Sequence, residues 1–142
     1  MSRTTKGFSF IEVLVTVAII GILSAIAIPA FLGQKTNADL VGDAQQNCKS
    51  LQMALETRKA DAGVYGTAGG YAWTPQADGS FVVTGPDPNI APQFGAKGSS
   101  KMTYTLVIAA GGLTYTLDAA DNRAGHAGHI YGTDQNGKQT YP

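Results

Sequence analysis

From Phe8 to Leu32 the chain reads FSFIEVLVTVAIIGILSAIAIPAFL, and Glu12 is its one ionisable side chain. In a bilayer interior a carboxylate costs about 2.5–3.5 kcal/mol on insertion scales. It therefore needs a counter-charge, a proton, or a place at the membrane interface. That is ion-pairing chemistry rather than catalysis. Other candidates are weaker. His126 and His129, in the stretch AGHAGHI, could touch one metal, but no cysteine or carboxylate cluster completes a ligand set. A loop of small residues accounts for them better. Asp134, Asn136 and Gly137 resemble the opening of a calcium loop, yet no downstream glutamate follows, and a turn explains them. Cys48 falls on an apolar helical stripe and reads as a small buried hydrophobe rather than a reactive thiol. With no nucleophile–base arrangement and no phosphate-binding glycine loop, the chain reads as non-enzymatic, with no cofactor and no metal.

The elements around Glu12 define its setting. Val13 to Leu32 carries no charge, and a helix of about 20 residues spans ~30 Å, the thickness of a bilayer core. Ahead of it lies MSRTTKG, with Arg3 and Lys6. Basic residues before an apolar helix tend to stay cytoplasmic, which sends the remainder outward. Charged residues are only 14% of the 142 and formal net charge is zero. Neither a nucleic-acid partner nor a disordered acidic tail fits that balance. The single cysteine excludes an internal disulfide.

Three ordinary readings of the apolar segment compete. A secretory signal peptide has a basic start and an apolar run, and Ser24, Ala25, Ala27 and Ala30 could mimic its cleavage site. Here the run is long and Glu12 sits near its start. A plain membrane anchor meets the same objection from Glu12. A buried core helix does not suit a helix apolar on every face in so small a protein.

The stretch KGFSFIEVLVTVAIIGILSAIAIP resembles the N-terminus of the type IV prepilins: a basic residue, Gly, Phe, then Glu at the fifth position after the Gly, then an apolar helix with a Pro. The likeness covers about residues 6–32 and departs mildly at Ser9 and Phe10, where the family more often shows Thr and Leu. It implies that a membrane-bound prepilin peptidase cuts between Gly7 and Phe8, and that the new Phe8 amine is N-methylated. A glycine there admits close approach of the peptidase to the backbone. Loss of Arg3 and Lys6 would leave eight basic side chains against ten acidic ones. The resemblance also implies that Glu12, one helical turn from Phe8, pairs with the Phe8 amine of a neighbouring copy during assembly. The plainer alternative is a carboxylate resting at the interface or protonated. Pro29 lacks the N–H that would bond the Ala25 carbonyl, and Gly21 weakens the helix further. In filaments of the family the segment between such positions is often unwound, which would give Gly21 and Pro29 a role in flexibility; a simple kink is the alternative.

Beyond Leu32, apolar residues recur at Val41, Ala44, Cys48, Leu51 and Leu55 in steps of three and four, one helical stripe. The helix is expected to run on to about Asp61, with Gly63 as its C-cap. Residues 63–100 read as a long Gly/Pro-rich connection with a short strand near Ser80–Thr84. Tyr65, Tyr71 and Trp73 pin that connection to the domain. Tyr104, Leu106 and Ile108, then Gly111-Gly112, then Leu113, Tyr115 and Leu117 predict a β-hairpin. A second hairpin is predicted from His129–Thr133 through Asp134–Gly137 to Lys138–Tyr141. The expected fold is α+β, the pilin fold: a long N-terminal helix whose second half packs on an antiparallel sheet. Its regions would be a leader at 1–7, a transmembrane and assembly segment at 8–32, and a globular head at 33–142. Some pseudopilins that this chain resembles bind calcium in the C-terminal region, so Asp118, Asp121 and Asn122 stand as a weak calcium set.

The resemblance implies a major pilin of a type IV pilus as the first reading, with the major pseudopilin of a type II secretion system as the alternative. The absence of a Pro-Trp-Gly-Asn-like stretch favours the pilus, whereas the absence of a C-terminal cysteine pair counts against one pilin subtype. Expected partners are other copies in a helical filament, the prepilin peptidase and methylase, the pilus assembly machinery, and the membrane before assembly. The precursor would sit in the inner membrane and the assembled subunit at the cell surface. The KGF junction predicts a mature chain that starts at N-methylated Phe8, and Gly7→Val should leave full-length precursor. Intact-mass measurement checks both; a start near Ala30 would contradict them.

Overall fold

The computed structural model describes residues 7–96, 102–123 and 128–140. The leader residues Met1–Lys6, His126 and Tyr141 lie outside the described residues. The chain divides into two compact units, Met1–Ala38 and Asp39–Pro142.

Helix α1 runs Phe10–Ala62, 53 residues, with Pro29 inside it. Ser9 opens it. The backbone N–H groups of Glu12 and Val13 donate to the Ser9 carbonyl at 3.1 and 3.3 Å. The helix closes at Gly63, whose N–H donates to the Lys59 carbonyl at 2.8 Å and whose φ of 77° suits glycine best. The C-terminal end matches the sequence expectation, whereas the start lies two residues beyond Phe8, where the helix is expected to begin. In this unassembled chain the helix is continuous through Gly21 and Pro29. Within the first unit, Thr16 and Thr36 donate their hydroxyls to the carbonyls of Val13 and Leu32 at 2.8 and 2.9 Å. The hydroxyls are thus satisfied by the helix itself, as an apolar environment requires.

The second unit is built from α1 beyond Ala38 and five strands: β1 (Gly69–Pro75), β2 (Phe81–Thr84), β3 (Met102–Ile108), β4 (Tyr115–Asp121) and β5 (Gly128–Asp134). They form one sheet in the order β2-β1-β3-β4-β5, each neighbour antiparallel. The fold is α+β, a long N-terminal helix with an antiparallel sheet. From α1 the core takes Leu40, Ala44, Cys48, Leu51 and Leu55. From the sheet it takes alternate residues, including Tyr71, Trp73, Tyr104, Leu106, Ile108, Tyr115 and Leu117. The stripe is slightly rotated from expectation. Leu40 is buried while Val41 is only half-buried, and Asn47 is buried as well. Asn47 survives there because its Nδ2 donates to the Tyr104 hydroxyl at 2.6 Å.

The connection expected over 63–100 contains a β-hairpin. Tyr71 and Trp73 alternate into the core from β1, but the flanking glycines and Pro75 concealed a strand. β2 supplies the short strand anticipated near Ser80–Thr84. Tyr65, Tyr71 and Trp73 are buried, as predicted. The β3–β4 hairpin forms with Ile108 opposite Tyr115 and Met102 opposite Asp121. Its turn includes Gly111 and Gly112 at φ 91° and 70°. A Cβ on Gly112 would lie 2.6 Å from the Gly66 carbonyl oxygen, so backbone contact as well as conformation selects glycine. Leu113 does not alternate inward as expected; it belongs to the turn and is 57% exposed. The second predicted hairpin is reduced. β5 and its turn are present, but among the described residues the return is one bridge between Thr133 and Gln139.

Leu51 has no exposed surface. In a chain lacking residues 1–32, Leu51→Ala should cost about 2–5 kcal/mol through lost burial and a cavity. For a domain of this size that lowers the thermal midpoint by roughly 10 °C or more. Calorimetry checks it, and an unchanged melting curve would contradict the core.

Candidate assembly site at the start of the helix

Gly7, Phe8 and Ser9 precede α1 and are exposed, Phe8 at 84%. No atom approaches within 4 Å of the position a Cβ on Gly7 would take. The Gly7–Phe8 peptide therefore sits in uncovered, non-helical chain, which a peptidase can reach. One turn on, the Glu12 carboxylate accepts a hydrogen bond from the Ser9 backbone N–H, Oε2 to N 2.8 Å. This is half of a capping box: Ser9 is the N-cap and Glu12 the third helical residue. The carboxylate sits at the positive end of the helix dipole and is turned back toward the junction with Phe8. Sequence reading overlooked the capping role of Ser9, although the Ser-x-x-Glu spacing carries the signal.

From Val13 to Leu32 no residue of the helix is buried. Phe10, Ile11, Leu14, Ile19, Ile22, Ile26, Phe31 and their apolar neighbours are exposed. The segment is long and apolar enough to cross a membrane, and none of its most apolar 18-residue window is buried. Gly21 and Pro29 are exposed within it.

The other polar groups singled out in the sequence are engaged elsewhere. Asp121 forms a forked ion pair with Arg123, with Oδ2 2.6 Å from Nη2 and 2.8 Å from Nε, and its Oδ1 also accepts the Arg123 backbone N–H. Asn122 bonds Thr103 through its side-chain amide. Asp118 Oδ2 lies 2.6 Å from His129 Nδ1. Asp134 Oδ1 accepts the N–H groups of Asn136 and Lys138, both at 2.9 Å, so this segment is a turn. Among the described residues no three His, Cys, Asp or Glu side chains converge as metal ligands would.

Residues 2–28 match the family described as the prokaryotic N-terminal methylation motif. Over 98 residues the chain is 32% identical to the type II secretion system core protein G of Dickeya chrysanthemi, covering 67% of this chain and 60% of that protein. Over 65 residues it is 40% identical to the protein of the same description from Vibrio cholerae serotype O1, covering 46% of this chain and 44% of that one. The chain carries a prepilin-type N-terminus and is pilin-like in fold. This pilin-like chain thus spans about 60% and 44% of the lengths of those two relatives. No solved structure matches it.

Cys48 lies in the head of this pilin-like chain. It is fully buried, and burial, with a smaller contribution from the Asp118 charge, pushes its thiol up to about 12. A thiol held that high is almost wholly protonated at neutral pH and is a poor nucleophile. Cys48 should therefore resist a disulfide reagent at pH 8 in the folded head and react fully on unfolding. The same shift stabilises the fold below about pH 9 and is lost as pH rises toward 12. Rapid labelling of the native protein would contradict the assigned burial.

Proposed function

We propose that this chain is the major subunit of a type II secretion pseudopilus, polymerised through its N-terminal helix after its leader is removed. The observation that carries the reading is the reach of the likeness: 98 aligned residues, well beyond the methylation motif at 2–28. That length includes head sequence, where filament types differ, and the relatives are secretion-system proteins. This favours the second reading over the major pilin placed first on sequence grounds. The missing Pro-Trp-Gly-Asn-like stretch is the one observation on the side of a type IV pilus, with adhesion and twitching motility as its uses. Deleting the gene separates them: a pseudopilin loses export of secreted proteins, and a pilin loses surface fibres and motility.

In this reading the chain is a substrate of enzymes and not itself one. The precursor rests in the inner membrane with its apolar segment across the bilayer. Hydrolysis of the Gly7–Phe8 bond, one water consumed, releases the basic leader and creates an amine at Phe8, which is then N-methylated. The subunit leaves the membrane for the filament with the help of the assembly machinery. There Glu12 pairs with the Phe8 amine of a neighbour, because an amine carried alone into an apolar bundle would be uncompensated. The filament remains periplasmic for a pseudopilus and reaches the cell surface for a pilus.

Glu12→Leu isolates this charge. Membrane insertion should persist, since the helix becomes more apolar, and cleavage after Gly7 should persist because the scissile bond is untouched. Filament should fall sharply, because removing one partner of a buried pair costs about 3–5 kcal/mol at each added subunit. The measurement is sheared filament against processed subunit in membranes. Wild-type amounts of filament would remove Glu12 from the mechanism.

A further inference from the structure

Asn136 and Gly137 sit in the turn after β5, and both are exposed. Of Asn37, Asn47, Asn89, Asn122 and Asn136, only Asn136 is followed by glycine. The side-chain carbonyl carbon of an asparagine is an electrophile, and the backbone nitrogen of the next residue can reach it and close a small ring. A glycine has no Cβ to hinder that approach. No atom of the described residues lies within 4 Å of where a Cβ on Gly137 would stand. The reactive groups and the open space are therefore both present, but the turn withholds the attacking nitrogen. The Gly137 N–H donates to the Asp134 carbonyl at 3.0 Å. The Asp134 carboxylate holds the residues on either side, its Oδ1 accepting the Asn136 and Lys138 N–H groups at 2.9 Å each. The Asp134 N–H donates back to the Lys138 carbonyl at 3.2 Å. The nucleophile is the amide nitrogen without its proton, so bonds that keep the proton in place and fix the backbone slow the attack.

We propose that Asn136 is a self-deamidation site gated by Asp134, slow while the turn is closed and fast when it opens. In the open turn the Gly137 amide gives its proton to solvent and its nitrogen bonds Asn136 Cγ. The Cγ–Nδ2 bond breaks, and the leaving nitrogen takes a proton from solvent and departs as ammonia. One water then opens the cyclic imide. Hydrolysis at Cγ leaves an aspartate at this position. Hydrolysis at the main-chain carbonyl carbon leaves an isoaspartate, whose main chain runs through Cβ and Cγ. The isoaspartyl form places an extra atom between the two N–H groups that share Asp134 Oδ1, so they cannot both keep that acceptor. The return, held by the Thr133–Gln139 bridge and by the Thr140 N–H on the Gly132 carbonyl at 2.8 Å, then loosens. Either product also adds an anion to the cleft that Asn136 shares with Lys49 and Glu56. Opening of such a turn is local and leaves the core folded. A head whose turn has opened therefore carries a covalent record of it.

The test follows the full chain in detergent micelles at pH 8 by peptide mass spectrometry. Conversion of amide to acid at Asn136 should be at least about tenfold slower in the folded chain than in the same chain in guanidinium chloride. The products should be both aspartate and isoaspartate. Asp134→Ala should speed conversion in the folded chain by at least about tenfold, because both bonds to the carboxylate are lost. Asp134→Asn, which keeps an acceptor oxygen, should stay near the wild-type rate. Cys48 reports whether each variant is folded, since it is buried in the intact head. If Asp134→Ala itself exposes Cys48, the comparison of folded with unfolded wild-type chain decides alone. No conversion in guanidinium chloride removes Asn136 as a site. Conversion as fast in the folded wild type as in the unfolded chain overturns the gate, as does an unchanged rate in folded Asp134→Ala.

Discussion

The structure depends on apolar surface that one copy of the chain leaves uncovered. Fully burying a Val, Leu, Ile or Phe side chain contributes about 1.5–3 kcal/mol, and most of the apolar residues between Phe8 and Leu32 are exposed. Water is not a viable solvent for that segment. A bilayer or other copies of the segment are. The two environments are similar in polarity, so a subunit can pass from one to the other without a large hydrophobic penalty. The direction of transfer then rests on what differs between them, namely specific packing and specific charge.

The head solves the opposite problem. It buries its own stripe of α1 against its own sheet. One buried polar pair, Asn47 with Tyr104, ties helix to sheet across that interface. A one-residue slip of β3 would carry Tyr104 to the other face and break the bond that the Asn47 amide donates to it. Aromatic packing fixes the remainder. Tyr65 meets Tyr115 edge-on at 4.7 Å, and its hydroxyl donates to Glu56 at 2.7 Å. Lys59 lies over the same ring at 4.4 Å. The end of α1, the connection after it and β4 are thereby joined at one point.

How far this could be read from sequence varied with the strength of each local signal. The span of α1 was legible because a charge-free run merges into a stripe with helical period and ends at a glycine in the left-handed region. The β3–β4 hairpin was legible because strict alternation brackets Gly111-Gly112. β1 was not, because Gly69, Gly70 and Pro75 surround only two inward aromatics, and β-structure there follows from pairing with β3 rather than from propensity. Asn47 reads as a polar interruption of the stripe until its partner, 57 residues away, is known. At the helix start, Glu12 was conspicuous as a lone charge. The backbone bond from Ser9 was less so, because a Ser-x-x-Glu spacing also arises without a cap.

That bond bears on how a carboxylate is carried through a membrane before it finds an amine. In the single chain Glu12 accepts one N–H and faces the helix N-terminus, two favourable interactions. A hydrogen bond to a charged group contributes about 1.5–3 kcal/mol net, comparable to the insertion cost of a carboxylate at about 2.5–3.5 kcal/mol. The cap therefore offsets much of that cost while leaving the second oxygen free to meet a cation. An amine arriving from a neighbour need not displace Ser9; it can add to the same carboxylate. The cap keeps the side chain in a rotamer turned toward the junction, so less entropy is lost when the ion pair forms. A glutamate placed farther along the helix would have no unpaired backbone N–H to accept, and would enter the apolar segment without this compensation.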